Sequence, residues 1–426
     1  MKSLRTLQKL FWIILLLSCL AFLPGSSPAA PVGTYDQARF YARGDEFDYV
    51  RWGWQATLSK FEQGALGINR YLSEAQQKQV VLDYIELVRQ SILTESQIEQ
   101  IYSDPNVQNP QQQSQPLRDQ LSYLDDQLSK TAPLAESILQ QQISAVLADL
   151  DLTTLGQPIP PVLFQVTPLP KALIISPRDV IRQDAFVSLQ ADLALEEIVR
   201  LEDQISREMN VSTLVEDVGG IGMYPTMVIR TTNLSFLIEV IAHEWIHNYL
   251  TLRPLGWNYD TSPELRVMNE TTANLAGKEI QQAVFERFYS ELLPKPTASS
   301  ANSQVNPPAA TQPQEPVFDF RAEMHETRLK ADELLAAGKI TQAEQYMEDR
   351  REFFLQNGYG IRKLNQAYFA FHGAYADTPG GAAGRDPYGP AVVELRQKSP
   401  TLAAFLKRIS RMTSFDQLQQ ALQSGD

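Results

Sequence analysis

The chain has 426 residues, room for two or three domains, and its 43% apolar content can build a buried core, which excludes a disordered protein. Acidic residues outnumber basic ones by 50 to 37, giving a formal charge of −13, and Lys and Arg form no cluster, so nucleic acid is excluded as the general partner. The single cysteine, Cys19, rules out disulfides and Cys-ligated metal, leaving histidine and carboxylate as metal ligands.

Residues 1–30 join three cations (Lys2, Arg5, Lys9) to an apolar run from Phe11 to Leu23 and a small-residue stretch ending near Ala29. That is the layout of a signal peptide or an N-terminal anchor, and it predicts an exported protein: periplasmic, extracellular or attached to the outer face of the cytoplasmic membrane. Residues 31–155 read as a helical domain, with apolar residues at three- and four-residue spacing such as Val80, Val81, Tyr84, Ile85 and Val88. Ser73 with Gln76 and Thr94 with Gln97 read as capping boxes, and the Gln-rich "NPQQQSQP" as a break before a helix at Leu134 to Leu150.

Residues 156–293 change texture. "PIPPVLFQVTPLPKALIIS" offers two short β-rich runs and "PTMVIRT" a third, together predicting a small sheet. A helix follows at once, with Thr232, Asn233 or Ser235 as its N-cap, and then a second helix over "TSPELRVMNETTANLAGKEI". Residues 294–316 hold hardly any bulky apolar side chain and read as a flexible Pro/Ala/Gln-rich insertion. The C-terminal region, 317–426, is helical: Phe320 to Ala337 closing at Gly338, a helix opened by a Thr341/Glu344 box, a third from Arg362 to Ala376, and two short final helices, the last capped by Ser414 and Gln417. The fold class expected is α+β and predominantly helical.

The stretch that carries chemistry is "IAHEWIHNYL", Ile241 to Leu250, which contains two of the four histidines. His243 and His247 are about 400° apart on a helix, so both rings leave one face and can converge on one ion. Glu244, one step round, is badly placed as a ligand but well placed to take a proton from a water that Zn2+ holds and acidifies to a pKa of about 7. The uncharged flanks Ala242, Trp245, Ile246, Asn248 and Tyr249 suit a helix buried beneath a cleft. A catalytic zinc site needs a third protein ligand and an open fourth position. The next helix offers Glu264, Glu270 and Glu279. Glu270 shares a face with Ala273, Asn274 and Gly277, short residues that let two helices approach, whereas Glu279 is about 180° and Glu264 about 120° away. Glu270 is the ligand expected.

With "HEWIH" at 243 to 247 and "NETTAN" at 269 to 274, the chain resembles the gluzincin metallopeptidases, of which thermolysin is a familiar member. The resemblance implies a zincin-like core holding Zn2+ and a peptide or protein substrate. It also puts Asn274 where the family has an aspartate orienting a ligand histidine. A looser similarity, from about Pro225 to Asp377, is to a family of bacterial exported proteins described as aminopeptidases, and it includes "LNQAYFAFHGAY". Gluzincins commonly stabilise the oxyanion with a Tyr or His from a later helix, for which Tyr375 and His372 are the candidates here. By the same resemblance "GGIGMYPTMVI" is an edge strand for substrate, with Tyr224 and Pro225 where an aminopeptidase group has the glutamate that grips the amine. The expectation is an exported zinc metallopeptidase. The alternative is an exported helical scaffold or binding protein with a non-catalytic zinc site.

Overall fold

The computed structural model describes residues 33–66, 71–103, 107–293, 318–373, 384 and 386–424. The predicted leader at 1–30, the insertion at 294–316 and Tyr375 lie outside the described residues. In chain order come helices α1 (Thr34–Ala42), α2 (Tyr49–Leu66), α3 (Glu74–Ser103) and α4 (Pro110–Asp149). Strands β1 (Thr153–Thr154), β2 (Gln157–Pro158), β3 (Phe164–Val166), β4 (Lys171–Pro177) and β5 (Ala185–Leu189) follow. Next are α5 (Leu195–Met209), β6 (Val211–Glu216), β7 (Gly220–Ile221), β8 (Thr226–Val228), α6 (Leu234–Thr251), α7 (Pro254–Trp257) and α8 (Pro263–Phe288). The C-terminal part holds α9 (Phe320–Ala336), α10 (Ile340–Gln356), α11 (Gln366–His372), α12 (Tyr388–Lys398), α13 (Leu402–Ile409) and α14 (Phe415–Ser424). The architecture is α+β and predominantly helical, and no helix among the described residues is long and apolar enough to cross a membrane.

The β-rich runs are strands, but they divide between two three-stranded sheets instead of forming one. Pro168 and Pro170 separate β3 from β4, and a strand cannot continue its ladder where two amide donors are missing. β4 is central in the order β5-β4-β6, antiparallel to both neighbours. Its apolar run is unbroken because both faces are covered: Leu173 and Ile175 pack with Ile198, Leu201 and Ile205 of α5, while Ala172 and Ile174, beside Leu214 of β6, pack with Ala367 of α11. In the other sheet β3 runs parallel to β8 and β7 antiparallel to it, in the order β3-β8-β7, so β7 is an edge.

The largest core wraps α6. Ile238, Ile241, Trp245 and Ile246 of that helix share one apolar cluster with Ile138, Leu139 and Ile143 of α4, with Ala273 and Ile280 of α8, and with Val392 and Phe405 of α12 and α13. Each fully buried Ile or Leu contributes about 1.5–3 kcal/mol through removal from water, so this interior holds the metal-motif helix rigidly in place. A buried ion pair fastens α2 to the same body. Lys60 pairs with Glu136 of α4, whose other oxygen accepts from the Val166 amide of β3 at 2.9 Å.

Other expectations need correcting. Thr94 is not a cap but a buried residue inside α3, its hydroxyl donating to the Gln90 carbonyl at 2.8 Å, a bond that lets Thr sit within a helix. The Gln-rich stretch opens α4 instead of breaking the chain: Asn109 accepts from the Gln112 amide at 3.1 Å, and Pro110 occupies the first turn, where a missing N–H costs nothing. α4 continues through Pro116 and Pro133 to Asp149, because packing against α3 through Tyr84, Val88, Leu128 and Ala135 outweighs the bonds lost at the prolines. Thr341 lies inside α10, and Glu344 takes the Arg178 guanidinium through two bonds of 2.7 Å in place of a cap. The third C-terminal helix starts at Gln366, capped by Asn365, not at Arg362, and three short helices follow it instead of two. The Ser73/Gln76 box and the Ser414 cap are formed.

Candidate metal centre

Two capped helices build the site. Asn233 caps α6, its side chain accepting from the Phe236 amide at 3.1 Å, and Ser262 caps α8, accepting from Leu265 at 3.4 Å. They cross closely at Gly277, where an added Cβ would stand 3.2 Å from the N, Cα and Cβ atoms of His243. The short face expected on α8 is thus the contact that carries Glu270 to the histidines.

His243, His247 and Glu270 come together. The two Nε2 atoms are 3.0 Å apart, and Glu270 Oε2 is 3.6 Å from His243 Nε2 and 3.5 Å from His247 Nε2. Tetrahedral ligands about 2.0–2.1 Å from a zinc ion lie about 3.3 Å from one another, so the triangle has the size of three corners of such a site. Glu270 Oε2 is buried with no hydrogen-bond partner among the described residues, an orphan that a cation would satisfy. The Asn269 side-chain oxygen lies 2.8 Å from His247 Nδ1. An amide oxygen only accepts, so Nδ1 carries the proton, and in the neutral ring Nε2 presents its lone pair to the centre. This donor set can hold a metal ion, and no fourth His, Cys, Asp or Glu of the described residues joins it.

The charges around the centre favour a cation. Burial opposes ionisation of Glu270, but the His247 and His243 imidazoles hold its carboxyl well below the usual range. Burial also opposes the charged form of His247, yet Glu270, Glu244 and the Asn269 bond together push it up to about 9. Glu244 is buried, and desolvation raises its pKa against the pull of the two histidines. Its carboxylate lies under β7: a Cβ built on Gly220 would be 2.7 Å from Glu244 Oε1, and one on Gly222 would be 3.3 Å from Oε2. Only glycine lets this backbone pass so close to the carboxylate. Asn248 ties the segment to α6, its amide donating to the Met223 carbonyl at 3.1 Å and to Thr226 Oγ1 at 3.1 Å.

Comparison with protein-family models, curated proteins and solved structures returned no match.

His372 does not join the three ligands. It lines a cavity of about 480 Å³ with Lys171, Glu216, Arg362 and Tyr368, its ring 4.3 Å from that of Tyr368, and burial lowers its pKa to about 4. Asn274 is half-buried one turn beyond Glu270, and Asn269 on the same helix is a second amide of the site, its oxygen at His247 Nδ1. Asn269 was legible as a polar residue beside the ligand on a buried helix. Tyr259, whose hydroxyl donates to Glu270 Oε1 at 2.5 Å, carries no such signal because it lies on the loop between α7 and α8.

Proposed function

We propose that the chain is an exported, zinc-dependent peptidase of gluzincin type, with a zincin-like core made of α6, α8 and the β3-β8-β7 sheet. The observation that carries this reading is the His243–His247–Glu270 triangle with its orphaned Oε2, set beside a buried glutamate and the edge strand β7. His243, His247 and Glu270 would hold the ion. Bound zinc supplies Lewis acidity, which acidifies water and polarises an acyl carbonyl.

The protein's own groups do the rest. Glu244 accepts the proton of the attacking water and later delivers it to the leaving amine. Burial raises its pKa, which makes the carboxylate a stronger base toward the attacking water. The outer edge of β7 pairs with an extended substrate backbone, and Gly220 with the following Gly222 lets the protein's own backbone lie close over Glu244 and His247. Export rests on the leader composition of residues 1–30.

Metal analysis of wild type and Glu244→Gln, beside a peptide-library cleavage assay, tests the reading. Zinc in both proteins with cleavage only by wild type is the expected result. Zinc in wild type without cleavage of any peptide would favour a binding protein with a non-catalytic metal site.

A further inference from the structure

We propose that Tyr259 is a positioning residue that makes Glu270 face the ion through one oxygen only; this rests on the zinc reading of the site. The two carboxylate oxygens have different surroundings. Oε1 receives the Tyr259 hydroxyl at 2.5 Å, whereas Oε2 has no partner among the described residues and points at both ligand imidazoles. A free carboxylate can chelate through both oxygens and occupy two coordination positions. With Oε1 engaged by a phenol, a single oxygen serves the ion, and the position needed for water or substrate stays available.

The tyrosine is itself held. Its ring stands edge-on to His247 at 6.1 Å, and the Arg266 guanidinium lies 5.6 Å from the ring centre. Arg266 is one turn before Glu270 on α8 and is tethered to Asp260 at 2.9 Å. The loop folds back on the end of α6 because position 256 is glycine: a Cβ there would lie 2.1 Å from the Leu250 carbonyl oxygen. The Tyr259 amide then donates to the Gly256 carbonyl at 3.2 Å, and the Leu255 amide anchors the turn to Ser410 at 3.0 Å. A loop residue is thereby placed as firmly as one on a helix.

The test is titration of the metal-free full chain with Co2+, followed by visible absorption, which is stronger for four-coordinate than for five-coordinate cobalt. Tyr259→Phe is compared with wild type and with Tyr289→Phe, which deletes a buried hydrogen-bonded phenol, bound to Gln142 at 2.8 Å, at the end of α8 about 28 Å along the helix axis from Glu270. Tyr259→Phe is expected to bind Co2+ about 10- to 100-fold more weakly, with weaker bands, and Tyr289→Phe to match wild type. Wild-type affinity and spectrum in Tyr259→Phe, or the same change in both variants, would overturn the inference alone. A wild type that binds no Co2+ overturns the zinc reading and this inference with it.

Discussion

Replacing Gly277 with alanine perturbs the candidate metal centre without touching His243, His247 or Glu270 themselves. The new methyl would lie 3.2 Å from three atoms of His243, closer than the about 3.5–4.0 Å of ordinary carbon contacts, so α6 and α8 must part by a few tenths of an ångström. Two effects on stability oppose each other. Alanine in a helix interior gains about 0.5–1 kcal/mol over glycine, whereas overpacking costs about 1–3 kcal/mol. The net loss is therefore small, roughly 0–2.5 kcal/mol. The ligand triangle is less forgiving, because metal–ligand distances tolerate only about 0.2 Å. Zinc affinity should fall about tenfold or more while the metal-free protein stays folded. Competition with a chromogenic chelator measures the affinity, and thermal unfolding of the metal-free protein measures the stability. Unchanged zinc affinity with a raised Tm would refute the reasoning, since it would mean that the helices are not in close contact at His243.

Gly220→Ala should act on Glu244, because its Cβ would meet Glu244 Oε1 and Val240 Cγ1 at 2.7 Å; peptide cleavage is expected to drop about 100-fold with zinc retained, as read by turnover beside metal analysis. Asn269→Ala removes the acceptor at His247 Nδ1 and should weaken zinc binding about 10- to 100-fold in the chelator assay. A pH effect is expected away from the candidate metal centre. Burial raises the pKa of Glu202, but Arg362, Lys363 and the Val215 amide outweigh it and hold the carboxyl below its ordinary value. A depressed folded-state pKa gives stability that is present above the unfolded value and lost as pH falls through the folded one. Unfolding at a series of acidic pH values should therefore show wild type losing stability below about pH 4.5 more steeply than Glu202→Gln. Parallel curves would remove Glu202 from the account.

The sequence was most informative where one helical period sets the geometry. His243 and His247 share a face whatever surrounds them, and the short residues Ala273 and Gly277 singled out Glu270 because close packing has a local signature. Sheet partition was legible only in part: Pro168 and Pro170 mark the break between β3 and β4, but the pairing of β3 with the distant β8, which puts it in a different sheet, has no local signature. Tyr259 reaches Glu270 because Gly256 and Ser410 fix its loop, a condition no local pattern displays. Thr94 misled because a hydroxyl that caps a helix can equally bond within one.

The Lys60–Glu136 pair has a consequence for how this chain can vary through descent. Loss of either partner strands a buried charge and costs about 3–5 kcal/mol, a large share of a domain's total stability of about 5–15 kcal/mol. Joint replacement by apolar residues of matching volume removes both charges and leaves only the Val166 amide without its acceptor, a smaller cost of about 1–3 kcal/mol. In homologous sequences positions 60 and 136 should therefore change together or not at all, and a lineage that altered one alone would have crossed a valley in fitness.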